Sequence, residues 1–121
     1  MNCVIIDCDP GLDDAVALLA AFGAAEFEIL AITTVAGNVN GAQTAENARI
    51  IREVAGNGSA IPVCAGAPRP MFRDPVTAED FHGTTGLGDL PLPTPNQALS
   101  QTHAVNMIIR TCRAAQNDPI T

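Results

Sequence analysis

Four aspartates fall within eight positions, Asp7, Asp9, Asp13 and Asp14, interrupted by Cys8, Pro10, Gly11 and Leu12. Carboxylates this close repel one another and raise one another's pKa unless protons or a cation intervene. A hard divalent cation held through oxygen is one chemistry that calls for such a group, and acid–base work on a bound substrate is the other. Helix capping accounts for part of the pattern. Asp9 before Pro10 is a good N-cap, and acidic residues in a first turn complement the helix dipole at roughly 0.3–1 kcal/mol each. That explains one or two of the four.

The elements that must position these carboxylates are legible on either side. Cys3 to Ile6 is a continuous apolar run, the pattern of a strand buried on both faces, and Pro10 and Gly11 break it. Leu12, Val16, Leu19 and Ala20 then recur at helical spacing, predicting a helix over Leu12–Phe22. The aspartates therefore belong to a strand-to-helix turn and a first helical turn, where open α/β sheets bind ligands. Glu28–Val35 reads as a second buried strand that ends in Ala36-Gly37-Asn38. Parallel pairing of the two strands would set Asn38 beside the aspartates; taken alone, it is a turn or capping residue.

Gln43–Ala55 has Ala45, Ala48, Ile51 and Val54 on one helical face and Asn57-Gly58 as a stop, and Ile61–Ala65 reads as a third strand. Asn47 and Arg49 read as solvated helix positions without chemistry. Residues 66–95 are rich in proline and glycine and show no sustained period, the profile of a binding loop or lid, with His82 inside it. Ala98–Ala115 is predicted as a helix with Val105, Ile108, Ile109 and Cys112 inward and a structural His103 near its start. Asp118 to Thr121 looks like the entry to a fourth strand. The expected fold class is α/β, a Rossmann-like open, mainly parallel sheet with flanking helices. Its expected parts are a βαβαβ core over 1–65, an active-site loop over 66–97, and a helix with the start of the next strand over 98–121.

Composition narrows the function classes. Of 121 residues, 47% are apolar, which argues for a packed globule; the net charge of −7 argues against nucleic acid or an anionic membrane as partner. No run approaches ~18 apolar residues and the aspartates interrupt the first apolar stretch, so neither a membrane span nor a cleavable leader is expected, and the chain reads as soluble and cytoplasmic. Cys3, Cys8, Cys64 and Cys112 lack metal-ligand spacing and read as reduced thiols, those in the apolar runs as small buried hydrophobes.

Familiar carboxylate and phosphate patterns can be tested against the aspartate stretch. Counted from Asp7, an EF-hand loop would place Gly11 at its fifth position and Leu18 at its twelfth, where oxygen ligands belong. A P-loop needs a lysine, which this chain lacks altogether, and the glycine order of a dinucleotide fingerprint is absent. Phosphatases of the haloacid dehalogenase type carry Asp-x-Asp after a first strand, which Asp7 and Asp9 match, but Gly11 stands where Thr or Val is usual. That class remains an alternative.

Asp7-Cys8-Asp9-Pro10-Gly11-Leu12-Asp13-Asp14-Ala15 resembles, position for position, the amino-terminal signature of the inosine–uridine-preferring nucleoside hydrolases. The resemblance continues in register through Ala31 to Asn38, Asn47-Ala48-Arg49, Pro62 to Gly66, His82-Gly83 with Gly86-Leu87-Gly88, and His103 to Asn106. It implies calcium-dependent hydrolysis of the N-glycosidic bond of ribonucleosides such as inosine or uridine, in purine and pyrimidine salvage, by a homo-oligomer. It also implies a Ca²⁺ held partly by Asp9 and Asp14, with Asp9 as general base on the calcium-held water. Asp13 and Asn38 would grip the ribose, His82 would border the substrate pocket, and Asp7 would support the metal ligands from behind. Family members continue well past the length of this chain and supply further metal ligands there. The isolated 121 residues are thus expected to be weakly active or inactive and to self-associate, with a non-catalytic, truncated half-site module as the alternative.

Overall fold

The computed structural model describes every residue except 57–59 and 117. Strand and helix alternate: β1 (Asn2–Cys8), α1 (Leu12–Gly23), β2 (Phe27–Thr34), α2 (Gly41–Ala55), β3 (Val63–Ala65), a single turn α3 (Glu79–His82) and α4 (Ala104–Ala114). The three strands form one parallel sheet in the order β1-β2-β3. Ile120 bridges Cys3 in parallel on the free edge of β1, and Ile5 N–H donates to Thr121 O at 2.8 Å. The chain thus pairs with the far side of β1 from β2 where the entry to a fourth strand was expected. This is the open parallel sheet with flanking helices that the sequence predicts.

Burial concentrates where the sheet meets α1 and α2. Cys8, Leu18, Ile32, Ala48, Ile51, Val63 and Leu87 form one cluster. β2, the central strand, runs buried from Ala31 to Thr34, as a strand covered on both faces should. In β1 only Val4 and Cys8 are buried, because this strand lies at an edge that Ile120 and Thr121 only begin to cover.

Several element boundaries and faces differ from expectation. α1 is apolar nearly all round, so its period announced a helix without choosing its face. Leu18 packs inward with Ala15 and Phe22 beside it, while Val16 and Leu19 face out. α2 buries Ala45, Ala48 and Ile51 as read, but Val54 is exposed. The helix ends at Gly56, whose φ of 73° is the left-handed stop that glycine tolerates; the expected Asn57-Gly58 stop lies outside the described residues. α4 starts at Ala104, six residues later than predicted. Ser100 N–H donates to Val63 O at 2.9 Å, drawing the preceding segment alongside β3, and His103 caps the helix by accepting Val105 N–H. The side of α4 nearest the sheet carries Ala104, Met107, Ile108 and Thr111. Val105, Ile109 and Cys112, expected inward, are exposed.

Residues 66–95, expected to be a structureless loop, divide into two behaviours. Met71, Phe72 and Val76 are exposed, whereas the stretch around His82 and Leu87 is anchored into the core. Burying a leucine side chain contributes about 1.5–3 kcal/mol, which offsets part of the cost of ordering this stretch.

Candidate active site

The aspartates occupy the carboxyl ends of β1 and the start of α1. Parallel pairing of Cys8 with Thr34 brings the β2 exit, Val35 to Asn38, against them. Asp9 is bracketed by Asn38: its Oδ2 accepts the Asn38 N–H at 2.8 Å and its carbonyl accepts Asn38 Nδ2 at 2.9 Å. The Asp9 N–H donates to Asp14 Oδ2 at 3.2 Å, which places the two carboxylate residues side by side across the turn. Gly37 is needed for this approach, since a Cβ there would overlap the Asp9 carboxylate. Gly11 is equally confined, with His82 Nδ1 2.7 Å and Asn38 Nδ2 2.8 Å from where its Cβ would be.

Asp7 accepts the Thr33 hydroxyl hydrogen bond and is thereby fixed to β2. Asp13 is exposed on the first turn of α1, and among the described residues its carboxylate accepts no hydrogen bond. Asp14 is pushed above the usual aspartate range, first by desolvation and then by the charges of Asp9 and Asp13; the Asp9 amide and His82 pull the other way. Cys8, packed behind them, is pushed up to about 12 by burial and by Asp14, Asp7 and Asp9. It is a buried thiol without nucleophilic use.

His82 is not a surface histidine. It ends α3, is buried, and its Nδ1 accepts the Leu12 N–H at 3.1 Å, satisfying an otherwise orphaned donor at the start of α1. With Nδ1 an acceptor, the neutral ring carries its proton on Nε2. Phe81 stands edge-on to it at 4.9 Å. Beside Gly37 a cleft of about 160 Å³ is lined by Val39, Asn40, Pro68, Pro75 and Val76.

Two residues read as solvated are not. Asn47 is fully buried and bonded to the aspartate turn and to the His82 loop; Arg49 donates Nε to Gln97 O at 2.8 Å. Nothing in helical periodicity distinguishes such an Asn from an exposed one. The signals available were its place in Asn47-Ala48-Arg49 within the family resemblance and its position one turn before Ile51 along α2.

The donor set suits a hard cation but does not complete a site. Among the described residues no three His, Cys, Asp or Glu side chains converge as a metal cage. Asp9 and Asp14 offer two carboxylates of the type a hard cation takes, and Asp9 Oδ1 accepts no hydrogen bond among the described residues. A cation between them would relieve the repulsion that raises Asp14. Ca²⁺ takes six to eight oxygens, so most would have to come from elsewhere.

Comparison with known proteins gives one consistent result. A family model described as inosine-uridine preferring nucleoside hydrolase matches residues 4–121. The chain is 42% identical over 119 residues to the inosine-uridine preferring nucleoside hydrolase of Crithidia fasciculata, covering 98% of this chain and 38% of that protein. It is 41% identical over 118 residues to a pyrimidine-specific ribonucleoside hydrolase of Photobacterium profundum, covering 98% of this chain and 37% of that one. Among solved structures, a purine-preferring ribonucleoside hydrolase from Gardnerella vaginalis superposes with a TM-score of 0.87 at 29% identity, over 94% of this chain and 37% of the other. A plant nucleoside hydrolase superposes at 0.86 with 32% identity, over 93% and 36%. The chain thus spans under two-fifths of the length of these relatives.

Proposed function

Because this chain belongs to the inosine-uridine preferring nucleoside hydrolase family, we propose that it forms the aspartate-bearing part of a site that hydrolyses the N-glycosidic bond of ribonucleosides. The observation that carries this reading is the bracket of Asn38 around Asp9 with Asp14 beside it, at the carboxyl ends of two parallel strands. Asp9 takes the proton from the attacking water. The water oxygen bonds to C1′ as the C1′–N bond breaks through an oxocarbenium-like transition state, and the base leaves with the bonding pair. Asp13, exposed and without an internal partner among the described residues, and Asn38 hold the ribose hydroxyls, which orients C1′. Asp9 and Asp14 would hold a Ca²⁺ ion, which when bound supplies Lewis acidity and a template for hydroxyl oxygens. Asp7, tied to Thr33, keeps the end of β1 in place behind them. His82 forms pocket wall, with Nε2–H its remaining donor.

A second reading is a non-catalytic half-site, in which Asp9 and Asp14, side by side across the turn, bind without turnover. One experiment separates the two: ribose release from inosine and from uridine by the 121-residue chain, with excess Ca²⁺ and with chelator, beside Asp9→Ala. Release that needs Ca²⁺ and is lost in the variant supports hydrolysis by a site completed within the chain or between copies. Absence of release from a folded chain supports the half-site.

A further inference from the structure

Asn47 is fully buried in the middle of α2, where an unpaired amide would cost about 1–3 kcal/mol. All its main capacity is used. Oδ1 accepts Gln43 Nε2 at 3.0 Å, and Nδ2 donates to Pro10 O at 3.0 Å and to Thr85 O at 2.7 Å. Those two carbonyls belong to segments 75 positions apart. Pro10 stands between Asp9 and the helical turn that carries Asp13 and Asp14, while Thr85 lies in the loop that begins at His82. A second link runs directly between the same segments, from Leu12 N–H to His82 Nδ1 at 3.1 Å, and Gly88 N–H closes the loop onto His82 O at 2.8 Å. The loop backbone presses onto the amide: a Cβ on Gly86, whose φ is 81°, would lie 3.1 Å from Asn47 Nδ2.

We propose that Asn47 is a positioning residue that fixes the aspartate turn and the His82–Gly88 loop to each other as one rigid unit, by giving both amide hydrogens to their carbonyls. Only a short planar amide offers two donors from one nitrogen at this depth. Asp would set an oxygen against two carbonyl oxygens, and Leu would leave both carbonyls without a donor. The inference rests on the proposed function only for what the aspartates bind; the link itself is independent of it.

The test compares Asn47→Leu and Gln43→Ala with Ile51→Val, a core change on the same helix, in amide hydrogen exchange followed by NMR. Expected is exchange at Leu12 and Gly88 faster by roughly tenfold in Asn47→Leu and severalfold in Gln43→Ala, relative to Ile51→Val after normalising each to its own global stability. If Asn47→Leu does not fold, Gln43→Ala decides, since among the described residues the Gln43 side chain hydrogen-bonds Asn47 and neither segment. Exchange at these two amides no faster than in Ile51→Val overturns the proposal. In parallel, Ca²⁺ alone is titrated calorimetrically, with affinity expected to fall about tenfold in the Asn47 variant. Unchanged affinity in a parent that binds Ca²⁺ also overturns it. A parent that takes up no Ca²⁺ overturns the cation part of the proposed function, and the exchange measurement still decides Asn47.

Discussion

At the scale of single residues, the site sets Asp14 against desolvation and two like charges. Asp14 loses solvation and faces Asp9 and Asp13, so its folded-state pKa stands above its unfolded one. Its protonated form is the one folding favours. The stability it contributes is present below the unfolded value near 3.9 and is lost as pH rises through the raised folded value. Asp14→Asn keeps an oxygen for the Asp9 N–H and removes the charge. The variant is expected to melt higher than the parent at pH 7 without divalent cation, with the difference shrinking toward pH 4. Added Ca²⁺ should raise the melting temperature of the parent only. Thermal melts at the two pH values check this, and a variant that melts lower at pH 7 counts against the stressed pair.

At the scale of elements, the device that aims the β2 exit at Asp9 is the start of α2. Asn40 caps that helix by accepting Gln43 N–H at 3.0 Å, and Thr44 donates its hydroxyl to Val35 O at 2.9 Å. The turn carrying Gly37 and Asn38 is thus held at its far end by the helix it leads into. Asn40→Ala is expected to cost about 1 kcal/mol, a typical N-cap loss, measured by urea unfolding. A change within about 0.5 kcal/mol, the usual spread of surface substitutions, would show that the cap does not hold the turn. The α3 turn works differently. With four residues it has little stability of its own; its last residue, His82, ties it to Leu12, and Leu87 beyond it packs into the core.

At the scale of the molecule, the uncovered apolar surface dominates. Val16 is 68% exposed on α1, and Val105 and Ile109 are 54% and 42% exposed on α4, with Cys112 continuing the same stripe. Apolar faces of this kind bury themselves against a partner when one is present. The 121-residue chain is expected to self-associate in sedimentation velocity at micromolar concentration. Val105→Glu with Ile109→Lys should shift it toward monomer without lowering its melting temperature, because neither side chain packs in the core. A monodisperse monomeric parent would contradict this.

The sequence by itself determined the order of the strands and the three longer helices, the parallel sheet and the place of the four aspartates, because strand and helix periods, Pro10-Gly11 and the aspartate spacing are local signals that tertiary packing had no reason to override. It also placed Asn38 beside them, once parallel pairing of β1 and β2 was assumed. Tertiary structure decided what local patterns leave degenerate. Which face of α1 and α4 is buried depends on what lies across from it, so Val105 and Ile109 could not be told from Ile108. Whether His82 and Asn47 meet water or backbone depends on a loop returning from more than thirty residues away. A hydrogen bond from Asn47 to Thr85, or from Leu12 to His82, leaves no period in the chain, since its partners are brought together only when Leu87 seats the loop against the core.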